Sequence, residues 1–130
     1  VKNGDHCAVN QVLYHLGSRG VEYDLMPWLE EHYVPLMAYC PLAQGGDLRR
    51  ELLQNKAVQM IAEQRHITAM QVLLAFVLYR ENVIAIPRSG KAEHVLENCQ
   101  AAEIQLTKEE YRLLDQAFPA PDHKVWLDIV

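Results

Sequence analysis

Long apolar runs are missing from this chain. No stretch approaches the roughly 18 uninterrupted apolar residues of a membrane span, and the opening Val1-Lys2-Asn3-Gly4-Asp5 lacks the character of a secretory leader. Clustered positive charge is missing too. The 12 Lys and Arg residues are scattered through a chain of net charge −5, which argues against a nucleic-acid partner and leaves room only for a small, local anion. Cysteine is scarce: Cys7, Cys40 and Cys99 are odd in number and far apart, which suits reduced thiols better than a disulfide framework. No C-x-x-C or H-x-x-x-H pair offers zinc a site. These exclusions leave a cytosolic location as the default and no membrane partner.

What is present is ordinary globular material. With 130 residues, 50% of them hydrophobic and 22% charged, the chain can bury one core, and residues 1–130 read as a single domain. Cys7 to Tyr14 is a short β-prone run ended by Gly17-Ser18-Arg19-Gly20. From Glu22 to Tyr33, Leu25, Trp28, Leu29 and His32 recur at helical spacing, with Pro27 where the first turns tolerate it. A second strand, Val34 to Cys40, stops at Pro41, and Gln44-Gly45-Gly46-Asp47 forms a loop whose Asp47 is placed to cap the next helix. Leu48 to His66 predicts one or two helices broken near Asn55. Thr68 with Gln71 is a capping-box pattern opening a buried helix through Tyr79. Val83-Ile84-Ala85-Ile86 is a third strand, Lys91 to Ala102 a helix, and Thr107 caps a last helix to Phe118. After Pro119 comes a tail.

Helices fill every crossover, which predicts parallel strands and an α/β class. Three such strands make a thin sheet, and runs as apolar as Ile84 to Ile86 expect cover on both faces, so something should complete it.

The most informative segment chemically is Ile86-Pro87-Arg88-Ser89-Gly90-Lys91, where a strand ends directly into a helix start bearing two cations, a hydroxyl and a glycine. A phosphate would sit well there, on unpaired amides and the helix dipole, clamped by Arg88. The competing reading is a surface turn with Ser89 as an N-cap and Arg88 solvated. His94, Glu97 and Asn98 come next, at i, i+3 and i+4 on one helical face, able to hold an adenine or ribose, or simply exposed. Asn10-Gln11 is a polar pair in an apolar strand whose amides need partners, from a ligand or from a neighbouring loop. Tyr39-Cys40-Pro41-Leu42 puts an aromatic at the end of a parallel strand, where ligands commonly bind and where tyrosines also simply pack. His15 and His32 have no nucleophile and acid beside them and read as structural.

In order, these pieces resemble the aldo-keto reductase superfamily: Val9-Asn10-Gln11-Val12-Leu13-Tyr14-His15, Ala38-Tyr39-Cys40-Pro41-Leu42, Ile67 to Leu74 as the helix ahead of the last strand, and Ile86-Pro87-Arg88-Ser89 with His94-Val95-Leu96-Glu97-Asn98. The resemblance runs across nearly the whole chain. It implies a partial (β/α)8 TIM barrel, the last three βα units with a C-terminal helix and tail, since a whole barrel takes about 250 residues. It implies NADP(H) as cofactor and a small carbonyl substrate, an aldehyde or ketone reduced to an alcohol. By the same resemblance Gln11 binds the nicotinamide carboxamide, Tyr39 stacks on the nicotinamide, and Cys40, Pro41 and Leu42 line the pyrophosphate path. Arg88 and Ser89 take the 2′-phosphate, with His94, Glu97 and Asn98 around the adenosine.

The sequence departs from the family pattern at three of these positions. Arg88 stands where Lys is frequent, His94 where Arg is frequent, and Cys40 where Ser is common. The first keeps a clamp, the second turns a permanent cation into a pH-dependent one and leaves NADPH against NADH open, and the third puts an oxidisable thiol near the cofactor. The family's catalytic tyrosine, with its lysine, aspartate and histidine, has no matching segment here, so no catalytic residue is assigned. The expectation is an inactive half supplying the cofactor wall, which needs the missing first half or self-association through its open sheet edge. The alternative is a non-catalytic remnant or self-associating binding module. A flavodoxin-like phosphate binder would need a glycine-rich loop after its first strand, which Gly17-Ser18-Arg19-Gly20 matches poorly.

Overall fold

Three short strands alternate with helices along the chain in the order that helical crossovers impose. The computed structural model describes residues 6–129, and the opening run of five residues lies outside them. The elements are β1 (Asn10–Leu13), α1 (Leu25–Glu31), β2 (Leu36–Tyr39), α2 (Asp47–Gln54), α3 (Lys56–Arg65), α4 (Ala69–Val77), β3 (Val83–Ala85), α5 (Ala92–Ala101) and α6 (Lys108–Ala117), with a 3-10 turn at Gly20–Glu22. The strands form one parallel sheet in the order β1-β2-β3. Its register pairs Leu13 with Tyr39 and Ala38 with Ala85, so the carboxyl ends of all three strands open on the same side.

Most local signals decided their elements. The chain breaks at Asn55, which ends α2 and begins α3 by accepting from the Ala57 amide at 2.9 Å. Thr68 and Gln71 form the expected capping box, Thr68 Oγ1 accepting from the Gln71 amide at 3.2 Å and Gln71 Oε1 from the Thr68 amide at 3.0 Å. Thr107 and Glu110 repeat it at the head of α6. Three expectations need correction. Asp47 is the first residue of α2 and no cap, because Gly46, at φ 92°, takes that place and Asp47 pairs with Arg50 at 3.2 Å. The helix after Glu22 is shorter than its apolar spacing implied, and Met26 with Leu29 enters the core while Trp28 stays half exposed, stacked on His32 at 4.0 Å. The first strand begins at Asn10 rather than Cys7.

The core lies between one face of the sheet and the helices. Alternation puts Val12, Leu36, Ala38, Val83 and Ala85 on that face, packed with Met26, Leu29, Leu52, Ile61, Leu114 and the wholly buried Gln71 to Val77 of α4. The opposite face carries Gln11, Met37, Tyr39 and Ile84, with Ile86 beyond the strand end. It is open: Ile84 is 44% and Ile86 40% exposed, and only Leu13 is buried there. The expected cover is thus present on one side alone.

A buried ion network fixes the turn after β1 to α6. Arg19, 5% exposed, donates through Nε and Nη2 to Glu22 at 2.7 and 2.8 Å. Its Nη1 reaches Asp115 at 2.7 Å and the Phe118 carbonyl at 2.6 Å. The guanidinium also lies over the Phe76 ring at 5.1 Å. Burial works against that charge, but the bonds to Glu22 and Asp115 outweigh it and raise the pKa of Arg19. The tail returns over the same turn: Ser18 Oγ donates to Asp128 Oδ2 at 2.5 Å, and Lys124 pairs with Asp24 at 3.0 Å. Gly20 permits this, since a Cβ there would stand 2.8 Å from Val125 Cγ2. Among the described residues no helix is long and apolar enough to cross a membrane.

Candidate functional site

The turns after β2 and β3 lie side by side at the carboxyl ends of the strands, the place where parallel α/β sheets hold ligands. The first turn is unusual. Cys40 and Ala43 both have left-handed backbones, at φ 48° and 58°, and the Ala43 amide donates to the Cys40 carbonyl at 2.9 Å. Each such non-glycine residue costs on the order of 1 kcal/mol, so other bonds must hold the turn. Arg49, in the first turn of α2, supplies them: Nε donates to the Leu42 carbonyl at 3.0 Å and Nη2 to the Ala43 carbonyl at 2.5 Å.

The second turn spans residues 86–91, so β3 does not run straight into a helix as the sequence suggested. Ser89 is not an N-cap of α5. Its Oγ accepts from the Lys91 amide and donates to the Lys91 carbonyl, both at 3.1 Å, while Lys91 takes the cap position with no side-chain bond. A Cβ on Gly90 would meet nothing within 4 Å, so the protein's own packing does not require glycine there.

Between these turns and α5 runs a groove of about 580 Å³ bordered by Leu42, Arg49, Met70, Arg88, Ser89, Gly90, Lys91, His94, Glu97 and Asn98. A second hollow of about 400 Å³ continues it past Tyr39, Cys40, Pro41, Leu42 and Ala43 toward Ile86 and Pro87. Leu42, Arg49 and Arg88 border both. The structure therefore brings together nine of the ten residues singled out from sequence: Tyr39, Cys40, Pro41, Leu42, Arg88, Ser89, His94, Glu97 and Asn98. Gln11 stands apart, exposed on the open face of β1, on the same face as Tyr39 and one strand away.

The electrostatics of the groove are one-sided. Among the described residues neither Arg49, Arg88 nor Lys91 makes an ion pair, although all three border the same groove. Glu97 is the carboxylate on its wall. Three cations that make no ion pair among the described residues and border one groove can hold an anion with two or more phosphates. Arg49 is the residue that sequence reasoning missed. Its signal was a cation in the first turn of a helix, where the dipole opposes it and some other interaction must compensate.

His15 and Tyr14 serve structure. Burial lowers the His15 pKa from 6.5 to about 4, the Asp128 charge opposing it only partly, and its Nδ1 accepts from the Gly17 amide at 3.1 Å. The Tyr14 hydroxyl donates to Glu22 at 3.0 Å, and burial followed by the Glu22 charge raises its pKa well above 10.0. Among the described residues no three His, Cys, Asp or Glu side chains gather to hold a metal.

Fold and groove together define an α/β protein with an anion-suited cleft at the carboxyl ends of parallel strands. Comparison with known proteins narrows that class: residues 1–118 match the model of the Aldo/keto reductase family, and the chain belongs to that family. It is 51% identical over 127 residues to methylglyoxal reductase YeaE of Escherichia coli (strain K12), covering 98% of this chain and 45% of that protein. Glyoxal reductase of Bacillus subtilis (strain 168) is 31% identical over 107 residues, 82% of this chain and 36% of its own length. A crystal structure of an aldo-keto reductase from Klebsiella pneumoniae in complex with NADPH superimposes with a TM-score of 0.94 at 51% identity, over 98% of this chain and 45% of that one. The chain thus spans less than half the length of these relatives.

Proposed function

We propose that these residues form the C-terminal half of a (β/α)8 barrel, its last three βα units as one domain, in an oxidoreductase that reduces small aldehydes or ketones to alcohols with NADPH. The single observation that carries the cofactor reading is the groove bordered by three cations that make no ion pair among the described residues. Such a set suits the phosphates of a dinucleotide, although Arg49 also braces the turn through the Leu42 and Ala43 carbonyls. The NADPH complex of the Klebsiella pneumoniae relative supports the same reading.

When bound, NADPH supplies the hydride for the carbonyl carbon. This chain's residues bind and orient. Arg88 and Ser89 take the 2′-phosphate, while His94, Glu97 and Asn98 surround the adenosine, His94 adding charge only when protonated. Cys40, Pro41 and Leu42 line the path of the diphosphate. Tyr39 stacks on the nicotinamide, and Gln11, with no side-chain bond of its own among the described residues, holds the carboxamide. The tyrosine that protonates the carbonyl oxygen belongs to the first half of the barrel, so these residues alone are inactive. The relatives named for methylglyoxal and glyoxal support a small carbonyl substrate. Three free cysteines suit a reducing, cytosolic setting.

The experiment is calorimetric titration of NADPH and NADH into the 130-residue chain and its Arg88→Ala variant. Loss of Arg88 should weaken NADPH by roughly tenfold, the scale of one charge-assisted bond, and NADH by less. Equal loss for both cofactors would remove Arg88 from the 2′-phosphate. The open face of Gln11, Met37, Ile84 and Ile86 favours a second statement, that the sheet is completed by the first half of a barrel or by another copy. Sedimentation of the pure chain reads this directly, and a stable monomer over a wide concentration range would count against it.

A further inference from the structure

The structural duty of His15 uses only one of its two ring nitrogens. The turn after β1 closes by a reciprocal backbone pair, the His15 amide to the Ser18 carbonyl at 3.3 Å and the Ser18 amide to the His15 carbonyl at 2.9 Å, and Nδ1 accepts from the Gly17 amide. Burial keeps the ring neutral near pH 7, and a neutral ring whose Nδ1 accepts carries its proton on Nε2. That N–H has no hydrogen-bond partner among the described residues, although His15 is only 2% exposed. The tail brings a complementary group to the same place. Ser18 Oγ donates to Oδ2 of Asp128, which leaves Oδ1 without a bond to the described residues. Asp128 is near enough for its charge to act on the His15 ring, yet the two form neither a hydrogen bond nor an ion pair. An unmet donor and an unmet acceptor so close together are costly unless something between them answers both.

Both side chains border a third hollow, of about 280 Å³, together with Leu13, Ser18, Gln44 and Leu48. It exceeds the share of one water, about 30 Å³. Gln44 also borders the hollow that holds Tyr39, and Leu13 is paired in register with Tyr39 on the open face, one strand spacing of about 4.8 Å away. The third hollow therefore continues the cleft past its nicotinamide end. We propose that it is a subsite for a hydroxyl group carried by the carbonyl substrate: the hydroxyl oxygen accepts from His15 Nε2 and its proton is donated to Asp128 Oδ1. Ser18 is a positioning residue, holding that carboxylate by its other oxygen. The assignment rests on the reduction proposed above and narrows its substrates to hydroxyaldehydes and hydroxyketones over their unsubstituted counterparts. Oxo acids are disfavoured, because a second carboxylate would meet the charge of Asp128.

The test compares hydroxyacetone with 2-butanone, which carry a hydroxyl and a methyl at the same position. Their reduction by NADPH is followed in a hybrid in which this chain replaces the matching 45% of the Escherichia coli reductase. Asp128→Ala should lower kcat/KM for hydroxyacetone relative to 2-butanone by roughly tenfold, the scale of one hydrogen bond to a charged group, and mainly through KM. Ser18→Ala should shift the ratio in the same direction by less, and Ser18→Thr, which keeps the hydroxyl, should restore it. Equal changes for the two ketones would reduce Asp128 to an anchor of the tail, and an unchanged ratio would leave the hollow to water. Either result overturns the subsite. A hybrid that reduces neither ketone defeats the proposed function instead, and the subsite is then read by itself from the nitrogen resonances of the His15 ring. Hydroxyacetone should shift them where 2-butanone does not, and no difference between the two overturns the subsite.

Discussion

Arg19 and Arg88 occupy similar places in the chain, each a few residues beyond the carboxyl end of a parallel strand, and they differ in almost everything else. Arg19 is buried, gives donors to Glu22, Asp115, Phe118 and Tyr111, and lies on the Phe76 ring. Arg88 is exposed and makes no ion pair among the described residues, on a groove that also holds Arg49 and Lys91. The end of the sheet beside β1 is closed by α6 and the tail, while the end beside β2 and β3 is left with charge to be answered. A cation whose donors are all engaged holds the protein together. One whose donors are free can serve a ligand, as proposed for Arg88.

That contrast can be broken most easily at Arg19. Arg19→Ala should cost about 3–5 kcal/mol, because the buried Glu22 loses its two-bond partner and keeps only the Tyr14 hydroxyl and Arg80 at 3.7 Å, read as a lower denaturation midpoint at unchanged slope. Next comes His15, on the same closed end. Its folded-state pKa lies below the unfolded one, so the unfolded chain binds the extra proton between pH 6.5 and about 4, and stability falls as pH falls through that window. The full effect is about 3 kcal/mol. His15→Asn, which keeps an acceptor for the Gly17 amide, should flatten stability over that pH range, and an unchanged slope would remove His15 as the cause. At the other end, Arg88→Ala should change stability by less than about 0.5 kcal/mol while weakening NADPH. A large drop in melting temperature would erase the contrast between the two arginines. Smallest of all, His94→Arg should strengthen NADPH over NADH a few-fold, because a guanidinium offers phosphate a permanent charge and a two-donor fork that an imidazole does not.

What could be read from sequence was what residues a few positions apart decide. The caps at Thr68 and Thr107 and the break at Asn55 are local, and so is the placing of helices between strands that makes the sheet parallel. Nine site residues came together because they sit in two turns and on one helix face. What escaped was decided at a distance or by competition. Nothing near Arg19 in sequence announces Asp115, 96 positions on. Met26 displaced Trp28 from the core, although both fit an apolar helical spacing. Gly46 displaced Asp47 as a cap because it alone could take φ 92° without strain. Arg49 was hidden because its partners are carbonyls, which every residue carries.

The bare side of the sheet has a calorimetric consequence. Heat capacity rises on unfolding because apolar surface meets water, by about 12–15 cal/mol/K per residue in globular proteins on average. Here Ile84 and Ile86 are already wet in the folded chain. The heat-capacity increment should therefore fall short of the about 1.6–2.0 kcal/mol/K that such a rate gives for this length. The stability curve of the chain should be correspondingly flat, steepening once that side is covered.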